Sequence, residues 1–277
     1  MTFRILCALF WLIAGAPLAR AATASCAPVE SRSGRLADID DRLEITLEDG
    51  SRARLFGVEP ADAASGARAA VELRALLTDR DLGVDFLSGA PDRWGRRPAL
   101  IRFSAPATEG AADATISLAE AVIDAGLARA RVEPGPIACL APLFALEARA
   151  RAANLGIWAD PINAPIPAEN RDILRAHVGR NVIVEGRVTS VGETAARLYL
   201  NFGPIRTVDF AATLSRATLK FFATAGVDPR RLTGARVRVR GLLDARFGPQ
   251  VEIVHPAAIE IVAPGAVSPY NRQDASR

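Results

Sequence analysis

Asp49-Gly50 separates two short runs in which apolar and polar residues alternate, "RLEITL" and "RARLFGV". An Asp-Gly pair supplies the positive backbone angles of a tight hairpin turn, and an alternation of period two buries one face of each flanking strand. Leu43, Ile45 and Leu47 share such a face. Upstream, "RLADI" reads as a further strand. Downstream, "DAASGARAAVELRALLTD" reads as a helix with Ala69, Leu73, Leu76 and Leu77 on one stripe. "LGVDFL" and "PALIRF" are strands joined by the turn "PDRWGR". "SLAEAVIDAGLA" is a helix with Ser117 as N-cap and Gly126 as its stop, and "PLFALEARARAANLGIW" is a third helix packing Trp158. The order β-β-β-α-β-β-α-α predicts a mainly β, α+β unit: a five-stranded barrel with three helices.

The chain has 277 residues, room for one large or two small domains. Arg4, the apolar run Ile5 to Ala14 and the small residues Ala19 to Ala21 have the pattern of a cleaved signal peptide over 1–21, too short for a stable membrane anchor. The expected location is therefore the periplasm or outside the cell, with no transmembrane anchor. Thr23-Ala24-Ser25 lacks the large aliphatic residue that precedes a lipidated cysteine, which argues against a lipid anchor at Cys26. Cleavage leaves Cys26 and Cys139, and an even pair in an oxidising compartment favours one disulfide; the alternative is two separate buried thiols. From 27 to 160 there are 16 Arg against 21 Asp plus Glu, a net of −5. From 171 to 262 there are 14 basic and 8 acidic residues, a net of +6. The Pro-rich stretch over 161–170 between them reads as a linker, and the small, polar tail 264–277 as disordered.

Residues 171–263 alternate again, in "NVIVEGRVTSV", "RLYLNFG" and "TVDFAATL", then a helix "TLKFFATAG", then "ARVRVRGLLDAR" and "QVEIVHPAAIEIV". Three strands, a helix and two strands is the order of an oligonucleotide-binding (OB) fold, a second small barrel. Arg236, Arg238 and Arg240 share one strand face, with Tyr199 and Phe202 on a neighbouring strand. Basic side chains beside aromatics suit single-stranded nucleic acid. The same basic face could instead dock on the acidic N-terminal half. His177 and His255 lack metal-ligand spacing.

"RARLFGVE", "DRWGR", "LAEAVIDAGLA" and "EARARAANLGIW" occur in an order and spacing that resemble the staphylococcal nuclease (thermonuclease) family, over about 34–160. The resemblance implies an OB-type barrel carrying calcium-assisted phosphodiester hydrolysis of DNA or RNA. Arg54 and Arg96 fall on the two arginines that clamp the phosphoryl oxygens. A forked guanidinium suits that role because it donates two aligned hydrogen bonds to a crowded dianion. Glu59 falls on a metal aspartate, Asp62 on the glutamate base, and Asp40 or Asp41 on the second metal aspartate if the hairpin is long, Leu43 if it is short. Arg93 and Trp94, in the same turn as Arg96, are candidate nucleic-acid contacts.

Glu59 is one methylene longer than the family residue and Asp62 one shorter, shifts of ~1 Å that cost about a hundredfold in rate when they misplace a catalytic group. The family's stacking tyrosine pair falls on Val132 and Pro134. Two functions of different class follow. One is an exported, calcium-dependent nuclease with weakened activity, Arg54, Asp62 and Arg96 catalytic, and Glu59 and Asp41 on the metal. The other is a catalytically impaired relative that binds nucleic acid or an envelope component.

Overall fold

The computed structural model describes residues 26–88, 90–105, 114–134 and 137–262. The expected signal peptide and disordered tail lie outside them. The N-terminal unit contains β1 (Glu30–Ile39), β2 (Glu44–Leu47), β3 (Arg52–Leu55), β4 (Val58–Glu59), helix α1 (Ala63–Leu77), β5 (Asp81–Phe86), β6 (Arg96–Ala105), β7 (Ala114–Ser117), α2 (Leu118–Asp124), β8 (Arg129–Ala130) and α3 (Ile137–Ala152). β1 pairs antiparallel with β2 and with β5, β2 with β3, and β5 with β6. A parallel pairing of β3 with β6 closes the ring, giving a five-strand barrel. Gly50 takes φ +81° in the β2–β3 turn but Asp49 does not share the positive angle; the chain turns over Leu47 to Ser51, with the Gly50 N–H donating to the Leu47 carbonyl at 2.9 Å.

Alternation fills the barrel. Ile45, Leu47, Ala53, Leu55, Val84 and Ile101 are buried in one core. Residues between them, Arg52 and Arg54 among them, therefore point outward. α1 covers the barrel with Ala69, Ala70, Leu73 and Leu77, whereas Leu76, expected on that stripe, is 36% exposed. Ser117 caps α2, as its position predicts. Two glycines are required by close backbone approach. A Cβ on Gly66 would stand 1.8 Å from the Asp41 carbonyl oxygen, so α1 is pressed against the β1–β2 turn. At Gly126, with φ +69°, a Cβ would stand 2.4 Å from the Leu155 carbonyl, where the end of α2 crosses the chain leaving α3. Cys26, ahead of β1, and Cys139, in the first turn of α3, form a disulfide with a Cα–Cα distance of 5.8 Å.

The C-terminal unit contains β9 (Ile166–Pro167), α4 (Arg171–Ala176), β10 (Asn181–Arg187), β11 (Ser190–Glu193), β12 (Arg197–Asn201), β13 (Ala211–Ser215), α5 (Arg216–Thr224), β14 (Arg236–Asp244), β15 (Gln250–Ile253) and β16 (Ile259–Ile261). These eight strands form one sheet in the order β11-β12-β13-β15-β14-β10-β9, with β16 on the side of β14. β13 and β15 run parallel. Its core, including Val184, Leu198, Phe210, Phe222, Val237 and Val251, is separate from that of the barrel.

The segment 161–170 is not the free linker its prolines predict. Pro161–Asn163 form a 3-10 turn capped by Asp160, and β9 pairs parallel with β10. Asn163 and Ile166 are buried. Prolines punctuate this stretch without freeing it, because Ile166 finds an apolar socket in the C-terminal core.

A buried ion pair joins the two units. Arg240 of β14 donates from Nη2 to Oε2 of Glu147 on α3 at 2.6 Å, and from Nη1 to the Ala130 carbonyl at 2.9 Å. Its guanidinium lies over the Phe144 ring, 4.4 Å from the centroid. Burial alone pushes the Glu147 carboxyl up, but Arg240 and then Arg151 outweigh it and hold it below the usual carboxylate range. Ala150, Ile157 and Trp158 meet Ile183 beside the pair. Removing Arg240 leaves Glu147, fully buried, with the more distant Arg151 at 3.5 Å as its cation. Arg240→Ala is therefore expected to destabilise the protein by about 3–5 kcal/mol, while the double change Arg240→Met with Glu147→Leu costs far less. Urea unfolding of the three proteins checks this.

Candidate functional site

β2, β3 and β6 bring the two predicted clamp arginines to one outer flank of the barrel. Arg54 lies opposite Glu44 across β2–β3, and Arg96 lies beside Arg52 across the parallel β3–β6 pair. With Ala53 and Leu55 inside, strand alternation leaves no other face for these guanidinium groups.

Both arginines are already engaged. Arg54 grips the Glu133 carboxylate with both Nη atoms, the Nη2–Oε2 bond being 3.1 Å. Arg96 bonds to Glu44 through Nη1 and to Asp92 through Nε at 2.9 Å. Arg52 donates a second bond to Glu44 at 3.0 Å. The glutamate side chains are 7% exposed at Glu44 and 4% at Glu133, so these are buried counter-charges and not passing surface contacts. A two-point carboxylate on a guanidinium fork uses the same donors that a phosphate would. Neither glutamate is singled out by the sequence. Glu44 looks like an ordinary polar residue of an alternating strand, and Glu133 sits between the two positions where the family's tyrosines fall.

The acids expected opposite the clamp are elsewhere. Asp62 is the N-cap of α1: its Oδ1 accepts from Ser65 N at 2.7 Å, while Ser65 Oγ accepts from Asp62 N at 3.0 Å. This capping box, its backbone bond first and the Ser65 side chain second, holds the Asp62 carboxyl below the usual range. That is the opposite of what a general base working near neutrality needs. Glu59 belongs to the β4–β8 ribbon and turns towards the C-terminal unit, where Oε2 accepts from Asn181 Nδ2 at 3.2 Å. Burial pushes its carboxyl up, against the opposing pull of Arg131 and Arg129. Asp40 is spent within its own turn, accepting from the N–H groups of Arg42 and Glu44. Asp41 is exposed beyond it, touching α1 through its carbonyl at Gly66. Among the described residues no group of three or more His, Cys, Asp or Glu side chains is placed to hold a metal. Glu59, Asp41 and Asp62 are thus each engaged in a different place: Glu59 at Asn181, Asp41 in the β1–β2 turn and Asp62 in the α1 cap.

The candidate nucleic-acid contacts divide. In the β5–β6 turn Trp94 is 51% exposed, with the guanidinium of Arg93 3.9 Å from its ring centroid and that of Arg96 at 4.4 Å. The arginines of β14 are not an open basic face. Arg236 and Arg238 each donate to buried Glu185 at 2.7 Å, Arg238 also to Glu260 at 2.7 Å, and Arg240 is the interface residue. β10 carries Glu185 directly opposite Arg238, which is why these arginines meet carboxylates of their own unit. A groove of about 380 Å³ lies elsewhere on this unit, lined by Thr189, Ser190, Asn201, Gly203, Pro204 and Arg206.

No family model matches the chain, and no curated protein matches it.

The Arg96–Asp92 contact sets an acid limit. The bond from Arg96 pulls the Asp92 carboxyl down to about 2, and Asp62 is lowered as well. Groups with depressed values stabilise the fold above their unfolded value of about 3.9 and lose that contribution as pH falls through the folded value. Stability should therefore decline from about pH 4 towards about pH 2, and Asp92→Asn should flatten part of that decline in an acid titration followed by circular dichroism. Asp62→Ala should cost about 0.5–2 kcal/mol through the lost cap.

Proposed function

We propose that this chain is an exported, thermonuclease-like protein whose N-terminal barrel is a non-hydrolytic frame, and that it binds single-stranded nucleic acid. One observation carries the reading: Arg54 and Arg96 converge on one flank, but buried Glu133 and Glu44 already occupy their guanidinium groups. Arginine clamps without a metal set or a positioned base can bind a phosphate and still supply little towards its cleavage. The motifs "RLFGVE" and "DRWGR", with the closed barrel, support the thermonuclease likeness. The Cys26–Cys139 disulfide supports an oxidising compartment.

The C-terminal sheet is read here as a second OB-type barrel. β10 and β11 are two arms of one bent strand, one pairing β14 and the other β12, and the parallel β13–β15 contact repeats the β3–β6 contact of the first barrel. Its groove, with exposed Arg206 among polar Thr189, Ser190 and Asn201, takes the place of the β14 arginines as the phosphate-binding surface, while Phe202 packs into the core against Phe210. Exposed Arg206 supplies an open positive charge at this groove for a polyanion.

The test is fluorescence anisotropy with a labelled single-stranded DNA longer than about 16 nucleotides. The expected result is binding in chelator as well as in calcium, an affinity that falls linearly on a log–log plot against salt, and an intact oligonucleotide. Arg206→Ala should weaken binding, and Glu133→Gln, which loosens the hold on Arg54, should tighten it roughly fivefold. Calcium-dependent cleavage that Arg96→Ala abolishes would overturn the non-hydrolytic reading in favour of a working nuclease.

A further inference from the structure

The cleft between the two units is distinct from the arginine clamp: neither Arg54 nor Arg96 lines it. Its volume is about 380 Å³, within the range of small-molecule sites, and interdomain clefts are a common place for them. One wall is the β4–β8 ribbon. Glu59 stands opposite Arg129 in that ladder, and Arg131 follows two residues on, so the alternation of β8 puts both arginines on one side. The other wall comes from β10, β14 and β15, with Asn181 at the polar end and Leu242 and Val254 on the rim. Leu242 is 58% exposed and Val254 65%.

The charges at the polar end are not balanced internally. Arg129 donates from Nη1 to the Asn181 carbonyl and from Nη2 to Asn163 Oδ1, both neutral acceptors. Its Nε is buried with no hydrogen-bond partner among the described residues. Arg131 is 43% exposed and reaches only Glu133, at 3.5 Å. Arg240 is neutralised by Glu147, and Glu252 by Arg197 at 2.9 Å. Glu59, opposite Arg129 in the β4–β8 ladder, faces both arginines, and Glu147 and Asp62 also act on Arg129.

We propose that this cleft binds a small anion carrying an apolar tail, its carboxylate or phosphate head held by Arg131 and Arg129 and its tail laid along Val132, Leu242 and Val254. Glu59 then acts as the site's proton-dependent element. The charged groups that face it are Arg129 and Arg131 from β8 and just beyond, Arg240 from β14 and Glu147 from α3. With the Glu59 carboxyl raised by burial, its neutral form persists above the ordinary glutamate range. In that form it can donate a hydrogen bond to an anion, and once ionised it repels one.

The experiment is a titration of the full chain with octanoate, octyl phosphate, inorganic phosphate and the uncharged octyl glucoside. It is followed by the fluorescence of Trp158, whose ring lies 5.8 Å from the Arg129 guanidinium, in a background where the chain's two other tryptophans are removed by Trp11→Phe and Trp94→Phe. Saturable binding of one or both tailed anions is expected, with the better of the two identifying the head group. Arg131→Gln should weaken it roughly tenfold. Affinity should fall as pH rises through the Glu59 transition, and Glu59→Gln should abolish that fall while the protein stays folded. Equal binding of octyl glucoside, binding of inorganic phosphate as tight as octyl phosphate, an Arg131→Gln protein that binds normally, or no saturation by either tailed anion would each overturn the proposal. Because the readout uses no nucleic acid, failure here leaves the single-strand reading standing, and the reverse also holds.

Discussion

The Arg240–Glu147 pair does more than hold two halves together. Glu147 accepts the Ala130 N–H at 3.0 Å while Arg240 donates to the Ala130 carbonyl, so one ion pair satisfies both backbone groups of a single β8 residue. That anchors β8, and β8 sets the position of everything around it. Its register against β4 turns Glu59 away from the barrel flank, and the chain leaving it delivers Glu133 to Arg54. A buried pair is a weak source of net stability, because desolvating both charges consumes most of what their attraction returns. In this arrangement both charges and both backbone groups of Ala130 are satisfied at once.

Opposite net charge in the two halves is resolved in a similar way. Part of the acidic excess is spent inside the N-terminal unit, on arginines of its own strands, and part reaches across through Glu147. The basic strand β14 meets Glu185 and Glu260 from its own unit as well as Glu147 from the other. Charge counted along the chain thus overstates the charge presented to a polyanion. The open cationic surface is carried by scattered groups such as Arg93 and Arg206, not by the densest cluster of arginines.

Local signals were legible where the residue type decides the backbone. Asp49-Gly50 marked a real hairpin, Ser117 a real cap, and Gly126 a real stop, because each rests on torsion angles or on an orphan N–H within a few residues. Alternation correctly sorted Ile45 and Leu47 from the outer face. The candidate site was legible only in part. Arg54 and Arg96 can be placed on neighbouring strands from the motifs, but their partners Glu133 and Glu44 are 79 and 52 residues away. An acid at a distance of that kind is indistinguishable in sequence from any solvated acid. Asp62 illustrates the converse. Followed three residues on by Ser65, it stands where a capping residue starts α1, and that local role is readable from the spacing alone. The prolines of 161–170 misled because they report breaks in helix and strand and say nothing about whether Ile166 finds a core.

The link between Cys26 and Cys139 turns most of the N-terminal unit into a closed ring, spanning 113 residues of chain, with β9 to β16 outside it. A cross-link of that kind acts mainly on the denatured chain, and for a loop of roughly 100 residues the entropic model assigns it about 4.7 kcal/mol. The assistance is unequal. Opening the ring with a thiol reductant enlarges the disorder available to the first barrel and not that available to the second sheet. The redox state of the surroundings therefore acts first on the half inside the ring, and reaches the other half through the seam, the α3 contacts with Arg240 and Ile183 among them.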